Sequence, residues 1–510
     1  MPLCSEPALD SDPAALQDTR VNSFRILLPL ALAFGPLSLS SAWGQNKVEE
    51  FRAPNGSVFL LVPRPLGTVV HWASFTSLGR IHEGPGEIGL AAASARSSLS
   101  GPAEGQELKA ASRAQLTELE RIAEKLWAPK PRPQASDPAE LRAKLLHSWD
   151  QLIRSEKIYG FRKELASLPS QKLQVHTGVA GTLLQAQIAR GRVLAFASRM
   201  ERRRQQPALA DLQIQLVLER ERLAREAQRN GLAQGDERRS LTDEALLLAL
   251  RNHPLRRTLL PRLSQAKAVS RAEALSFWHR HQRPERCVTV LVGDFDPERI
   301  REGLRRIFVR PAPGQAAPAI PDEMQQRGLR ESRIQQPGPR RQVLAYRIPQ
   351  GLRPGILRCL AELLASGPGS LLAELRLELG PRVQWQVQAR QPELGYPAFF
   401  VIETQERGDL SPLHKRLQAA TSALAKGTAD PTRLEAALRL EQLRHASQRE
   451  DSREYAAELA RDWAMRGRAA LSRAALSPKE LLAGAAQLLQ DARLTRVRSE
   501  PSASPSKDDE

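Results

Sequence analysis

The sequence predicts an α+β fold made of tandem repeats, each an antiparallel sheet packed with helices. Apolar runs typical of buried strands lie near both ends of the first half of the chain, at 58–62 and 287–292, with helical patterns between them. A stretch with linker composition follows at 311–321. The order of strands, helices and strand then recurs, which indicates an internal structural repeat.

Composition excludes several classes of protein. The chain has 510 residues, 41% of them hydrophobic, which is enough for two to four domains with apolar cores. It carries 75 Lys+Arg against 57 Asp+Glu, a net charge of +18. The arginines usually stand beside acidic residues, as at 219–222, and we find no unpaired basic stripe with aromatic platforms. We therefore expect solvated helix faces and no nucleic-acid partner.

The cysteines favour neither a thiolate zinc site nor a disulfide framework. The three cysteines, Cys4, Cys287 and Cys359, have no CxxC spacing. Cys287 and Cys359 lie in apolar patterns, so we predict two buried thiols rather than a disulfide.

The N-terminus predicts secretion. An apolar run at 26–42 follows two arginines and ends in a small-x-small pattern, which is typical of a signal peptide at 21–44. Residues 1–20 are acidic and suit a mis-set translation start. An apolar N-terminal helix that stays in the fold is the alternative. We expect a periplasmic or secreted protein with no integral membrane segment after cleavage.

Elements of the first half follow from periodicity and turn residues. We assign 45–310 to an N-terminal domain, in which 107–165 is a helical insert broken by prolines. Strands are predicted at 58–62, 69–75 and 287–292, and helices at 87–99, 208–230 and 270–281.

The second half reads in the same way. A linker at 311–325 leads into a C-terminal domain at 326–498, and 499–510 is predicted to be a disordered tail. Strands are predicted at 343–348, 383–389 and 398–404, with helices at 354–366 and from Pro431 and Pro478.

Four segments carry a resemblance to a known family. They are 51–62, 79–91, 218–226 and 288–296. In this order they resemble the opening strands, the loop before the metal motif, the helix with the last metal ligand and the final strand of the insulinase/pitrilysin-type zinc metallopeptidases. The resemblance covers about 50–500 and implies an insulinase-type metallopeptidase-like fold.

The catalytic motif of that family is replaced here. Active members carry H-x-x-E-H on the helix that follows Gly-Leu, and a distant Glu completes the zinc site. Residue by residue, Ala92 matches the first His, Ala95 the general base and Arg96 the second His, while Glu226 matches the distant Glu. The resemblance therefore implies an inactive homologue with no catalytic residue, no metal ligand set and no zinc cofactor.

Substrate contacts implied by the resemblance are also altered. Companion subunits of the family provide an Arg and a Tyr after a Gly-containing loop, and Leu371 and Ala373 stand at those positions. Gly367 and Gly369 in the loop, and Arg376 one turn further on, are the candidate substrate-binding residues. The other interpretation of this loop is a simple turn between helices.

Histidines offer little as an alternative site. We interpret His279 and His281 as surface or capping residues, because no acidic residue is near them in sequence. His82 and Glu83 lie on the loop before the altered helix, where packing and turn roles are favoured.

Three functions remain open. The leading hypothesis is a non-catalytic subunit that pairs with an active insulinase-family peptidase and helps to enclose peptide substrates. The second is a stand-alone periplasmic peptide-binding or scaffold protein. The third is an active metallopeptidase with a divergent metal site.

Overall fold

The structure is a computed structural model, and it describes most of the chain from residue 48 onward. The described residues are 48–65, 67–103, 105–128, 137–154, 159–167, 170–229, 241–256, 266–336, 340–366, 370–379, 384–390, 398–406, 411–467 and 475–501. The predicted start at 1–20 and the predicted signal peptide at 21–44 lie outside them, and both stay predictions.

Six strands of the first half form one sheet. They are β1 (Glu49–Arg52), β2 (Val58–Pro63), β3 (Val69–Thr76), β4 (Ser170–Thr177), β5 (Thr182–Ala189) and β6 (Cys287–Gly293). Their order across the sheet is β1-β2-β6-β3-β5-β4. Neighbouring strands are antiparallel except β2 and β6, which are parallel.

Nine helices belong to the described part of the first half. They are α1 (Leu90–Ser97), α2 (Ala110–Leu126), α3 (Pro138–Ile153), α4 (Gly160–Ser167), α5 (Val193–Gln205), α6 (Leu212–Arg229), α7 (Leu241–Ala249), α8 (Arg271–His281) and α9 (Pro297–Ile307). The predicted insert at 107–165 contains α2, α3 and the first part of α4. An apolar core ties α2 and α3 to α6 through residues such as Leu119, Leu145 and Ile214.

Five strands of the second half form the second sheet. They are β7 (Arg330–Gln336), β8 (Arg340–Arg347), β9 (Gln384–Arg390), β10 (Phe399–Glu406) and β11 (Leu494–Pro501). The order is β7-β11-β8-β10-β9, with β7 and β11 parallel and the other pairs antiparallel. The helices are α10 (Pro354–Ala361), α11 (Leu371–Leu379), α12 (Ser411–Lys426), α13 (Pro431–Glu450), α14 (Ser452–Arg466) and α15 (Pro478–Leu488).

The two sheets have the same topology once β1 is set aside. Strands β2, β6, β3, β5 and β4 stand in the order of β7, β11, β8, β10 and β9. In both sheets the parallel pair joins the first and last strand of the repeat. This confirms the predicted α+β class and the repeat of mainly antiparallel sheets. Each sheet also contains one parallel pair, because the chain returns to its own first strand after the helices.

Each half contributes one helix to the other half's sheet. Helix α14 of the second half packs on the first sheet, where Tyr455, Leu459 and Trp463 meet the apolar side chains of β2, β3 and β6. Helix α7 of the first half packs on the second sheet, where Leu246 lies among side chains of β8, β10 and β11. The two helices occupy the same place in the repeat, so the exchange is reciprocal.

The exchange explains why the central strands are continuously apolar. The second face of the first sheet is covered by helices of its own half, with Phe59, Trp72 and Leu291 in that core. A strand buried on both faces has no polar side, so β2 is an unbroken apolar run at 58–62 and β6 is one interrupted only by Thr289. All residues of β6 are buried.

Several predicted boundaries are corrected by the structure. Helix α1 is shorter than the predicted 87–99, because the chain turns at Gly89 with a φ of +85° before the helix begins. The predicted helix at 354–366 ends as an α-helix at Ala361 and continues as a π-helix over Glu362–Ser366. The predicted tail begins too early, because β11 extends to Pro501 through its pairing with β7; residues 502–510 lie outside the described part.

Hydrogen bonds pin the predicted linker at 311–325 along its length. The Ala317 carbonyl accepts a bond from Arg286 Nη2 at 3.2 Å. Glu323 accepts three successive backbone N–H groups of residues 251–253, at 2.8 to 3.0 Å. This segment is therefore held against the first half by hydrogen bonds at residues 317 and 323, and it is not a free linker.

Cys287 and Cys359 are both buried free thiols, as predicted. Among the described residues, no helix is long and apolar enough to cross a membrane.

Candidate functional site

The residues matched to the catalytic motif of the family lie on α1, a short helix packed against α6. Leu90, Ala91 and Ala93 are buried against Leu212 and Leu216 of α6. Gly89 permits this approach: its positive φ suits glycine, and a Cβ there would lie 3.4 Å from Cγ of Glu219.

A buried carboxylate holds the start of α1. The N–H groups of Gly89 and Ala91 donate to the two oxygens of Glu83, at 3.0 and 2.9 Å. Burial raises the pKa of Glu83 to about 7, although these two hydrogen bonds oppose the shift. The favoured turn role of Glu83 therefore takes the form of an N-terminal cap on this helix.

Two of the matched motif positions provide no metal ligand. Ala92 and Ala95 are 2% and 4% exposed, and their methyl groups have no lone pair to donate. Ala95 instead borders an internal cavity of about 80 Å³ between α1, α5 and the sheet. Polar groups of Ser74, Thr289 and Cys287 also border this cavity and are hydrogen-bonded to one another.

Arg96 at the third motif position pairs with an acid of α6. Its Nη1 lies 3.4 Å from Oε2 of Glu219, a side chain only 1% exposed. Glu219 also accepts hydrogen bonds from Nε and Nη2 of Arg222, at 3.1 and 2.7 Å. A guanidinium is thus the positive partner of a buried carboxylate at the position where a second His is expected.

The acid that pairs with Arg96 is not the one matched from the sequence. Glu226 lies in α6, but its side chain is outside the described residues, so its match to the distant Glu stays a prediction. Glu219 precedes it by seven residues, close to two helical turns, so both positions share one face of α6. This spacing was the available signal for Glu219, and the sequence analysis did not use it.

These residues do not fit a zinc ion. A zinc site needs three or four N, O or S donors, whereas the positions on α1 offer two methyl groups and a permanent cation. Across the described residues, no group of three or more His, Cys, Asp or Glu could hold a metal ion. We therefore derive no reaction step through zinc.

Arg220 is a second buried charge that the sequence analysis missed. Its Nε donates to the Ile88 carbonyl at 2.8 Å and its Nη2 to the Lys267 carbonyl at 2.9 Å, and Cζ lies 4.5 Å from the ring centroid of Trp127. Desolvation lowers the pKa of Arg220 to about 10, while attraction to Glu83 raises it. The loop before α1 therefore packs against the buried guanidinium of Arg220 and accepts a hydrogen bond from it.

His82 and His281 meet beside this loop. Their ring centroids are 5.1 Å apart, and His281 also packs on Phe277. Burial lowers the pKa of His82 to about 4 and that of His281 to about 3, so both rings are neutral at pH 7. The packing role of His82 is confirmed, but the surface or capping role expected for His281 is wrong, since it is only 7% exposed.

The predicted substrate-binding residues are not tested by the structure. Gly367 and Gly369 lie outside the described residues. Arg376 lies in α11, but its side chain is not described. All three stay predictions.

Comparisons with known proteins agree with the predicted family resemblance. The family model described as "Peptidase M16 inactive domain" matches residues 268–437, which confirms the resemblance to insulinase-family peptidases. No curated protein matches the chain in sequence.

Solved structures of similar fold cover nearly the whole chain. A protease from Helicobacter pylori matches 90% of this chain and 100% of its own, with 16% identity and a TM-score of 0.63. A peptidase M16 inactive domain from Pseudomonas fluorescens matches 90% and 98%, with 13% identity and a TM-score of 0.57. The periplasmic protease PqqL from Escherichia coli matches 90% of this chain but only 49% of its own, with 15% identity and a TM-score of 0.54. The chain therefore has the fold of the insulinase/pitrilysin-type peptidases and spans about half the length of PqqL.

Proposed function

We propose that this chain, an insulinase-family homologue by fold, is a non-catalytic subunit that pairs with an active zinc peptidase and helps to enclose its peptide substrates. The observation that carries the proposal is the Arg96–Glu219 pair. At the matched motif positions, two methyl groups and a guanidinium replace two ligands and a base. A general base and a polarising metal are the parts that hydrolysis of an amide requires there.

The match to part of a longer protease supports pairing. This chain corresponds to about half of the structurally similar protease PqqL. In the proposed assembly, a second half of similar size completes the enclosure around a peptide. We propose an active homologue with the intact motif as that second half, because this chain lacks the motif.

We also propose a periplasmic or secreted location. The predicted signal peptide at 21–44 and the periplasmic location named for PqqL support it. Fractionation of the native host, with an antibody against the chain, tests this. Recovery with cytosolic markers would contradict it.

The catalytic part of the proposal is tested by rebuilding the motif. The wild-type protein should bind no stoichiometric zinc and should not hydrolyse an unstructured casein peptide. The triple variant Ala92→His, Ala95→Glu, Arg96→His should bind about one zinc per chain by elemental analysis, since it supplies the missing donors. The cavity beside Ala95 leaves room for the added carboxylate.

A matched control separates the effect of the added zinc ligands from the effect of removing the positive charge of Arg96. The double variant Ala92→His, Ala95→Glu keeps Arg96 and should bind zinc much more weakly than the triple variant. Stoichiometric zinc and activity in the wild type would overturn the proposal and favour the active peptidase with a divergent metal site. A folded triple variant without zinc would instead contradict the placement of the motif on α1.

Pairing is tested with the zinc-motif homologue of the same host. Light scattering of the mixed proteins should show a 1:1 complex, and the homologue's peptidase rate should rise when this chain is added. Two separate monomers with an unchanged rate would overturn the subunit role. Peptide binding by such a monomer would favour the stand-alone peptide-binding protein.

A further inference from the structure

A concave pocket of about 450 Å³ lies where α7 ends beside β7, far along the chain from the altered motif. Its polar wall contains Arg251, Arg256 and Arg330 together with Ser332, and its apolar wall contains Leu247 and Val497. The pocket is thus built jointly by the helix that the first half contributes and by the sheet of the second half.

Two of the arginines are held in fixed positions by the end of α7. Nη1 of Arg330 donates to the carbonyls of Leu248 and Ala249, at 2.8 and 2.7 Å. Nη1 of Arg256 donates to the Leu250 carbonyl at 2.7 Å. All three bonds use carbonyls at the C-terminal end of the helix, which attract cations. Within the described residues, Nη1 is the only nitrogen of either guanidinium that forms a hydrogen bond.

Positive charge is in excess at the pocket lining, where three arginines face one acid. None of the three arginines forms an ion pair with another described residue, and Glu244 is the acid of the pocket lining. Burial and repulsion from Arg251 lower the pKa of Arg330 from its ordinary value, and attraction to Glu323 opposes this shift. An anion placed between these guanidiniums would relieve that repulsion.

The apolar wall narrows the class of anion. Leu247 and Val497 are only 7% and 1% exposed, so they form an apolar floor that suits an apolar group bound beside the anion. Inorganic phosphate has no such group, whereas a peptide carries carboxylates next to apolar side chains. Strand β7 is also an edge of the second sheet, which gives an extended peptide backbone groups to pair with.

We infer that this pocket binds a peptide segment in which a carboxylate lies next to an apolar side chain, with Arg251, Arg256 and Arg330 as the anion-binding residues. Guanidinium forks suit carboxylates because they can donate two parallel hydrogen bonds. The inference goes beyond the proposed function, because it requires neither a partner subunit nor the region around α1.

Direct binding of a defined probe tests the inference. The probe is a fluorescein-labelled decapeptide in which leucine and glutamate alternate, and its anisotropy is followed as the full chain is added. We expect Arg251→Gln and Arg256→Gln each to weaken binding about tenfold, since each removes a charged hydrogen-bond donor. Added salt should weaken binding to the wild type as well.

Controls make the result specific to this pocket. Arg333 lies on the same strand as Arg330 but outside the pocket, with 66% of its side chain exposed. Arg333→Gln should leave binding within about twofold of the wild type. Thermal melting should confirm that every variant is folded.

Three results would overturn the inference. The first is equal affinity of the wild type and a folded Arg251→Gln, Arg256→Gln double variant. The second is equally tight binding of the peptide with glutamine in place of each glutamate. The third is inorganic phosphate binding alone as tightly as the peptide. Each readout is independent of the pairing experiment, so failure of one proposal does not decide the other.

Discussion

The two halves attach the first helix of their repeat to the long helix beside it in different ways. In the second half, Arg358 of α10 forms a bidentate ion pair with Glu441 of α13, and the side chains are 23% and 11% exposed. In the first half, Arg96 of α1 makes a single 3.4 Å contact with Glu219 of α6, and Arg96 is 36% exposed. The two halves share a topology, but the ion pair between these two helices is bidentate in the second half and a single longer contact in the first.

The difference continues at the N-termini of the two helices. Helix α1 begins on two N–H bonds to the buried Glu83, whereas α10 begins with Pro354 after Arg353, whose Nη1 donates to the exposed Glu480. The first half therefore depends on its loop and on apolar packing to hold α1. In the second half, the ion pair between Arg358 and Glu441 holds α10. Helix α1, which carries the matched motif positions, is thus held without a bidentate ion pair to its neighbour.

Replacing a buried leucine in each exchanged helix should give the largest effect. It tests whether the two helices contribute equally to the stability of the protein. Leu459→Ala in α14 and Leu246→Ala in α7 each remove a buried side chain and should lower the free energy of unfolding by about 3 kcal/mol. Because each helix covers the opposite sheet, both variants should keep a single denaturant transition. The control Leu443→Ala, at a side chain 63% exposed, should change stability by less than about 0.5 kcal/mol. Two separate transitions would show that the halves unfold independently.

A pH titration tests the role of Glu83 in the first half. Its pKa rises from 4.5 to about 7 on folding, so the folded state holds a proton that the unfolded state has released. Stability from this group is then present at low pH and is lost as the pH rises from about 4.5 to 7, by roughly 3 kcal/mol at about 1.4 per pKa unit. Glu83→Gln cannot titrate and should lack this slope. Parallel curves for the wild type and the variant, measured by urea denaturation, would contradict the raised pKa.

The ion pair of the second half should matter next. Arg358→Gln leaves the carboxylate of Glu441, 11% exposed, with only the 3.7 Å contact to Arg444, and should lower the free energy of unfolding by about 2 kcal/mol. The same measurement on Arg439→Gln, an exposed arginine of α13, provides the control. A loss no larger than that of the control would show that the bidentate pair contributes little.

Much of this architecture was predictable because it is local. The apolar runs of β2 and β6 indicate strands buried on both faces, and Ser477 with Glu480 indicates the start of α15 through a capping box. The match of Ala92, Ala95 and Arg96 to the motif positions stays a prediction; the structure shows that the three residues lie on one helix.

What was not predictable depends on contacts between distant segments. The apolar pattern of α7 indicates burial but not that the opposite sheet provides the cover. Strand β11 carries several charged residues, and the burial of Thr495 and Val497 depends on its pairing with β8 and β7 and, for Val497, on packing against α7. The ion pair between Arg96 and Glu219 likewise depends on how α1 lies against α6, and no sequence pattern within either helix specifies this packing.

The smallest expected effect is that of replacing Arg96, the counterpart in the first half of Arg358. Arg96→Gln removes one 3.4 Å contact from a side chain in partial contact with water, and Glu219 keeps its two bonds to Arg222. We expect the free energy of unfolding to fall by less than about 1 kcal/mol, as for exposed ion pairs. A loss equal to that of Arg358→Gln would mean that the guanidinium is a structural replacement for the metal. A small loss would mean that α1 keeps its place without any cation there, since apolar packing and the Glu83 cap already hold it.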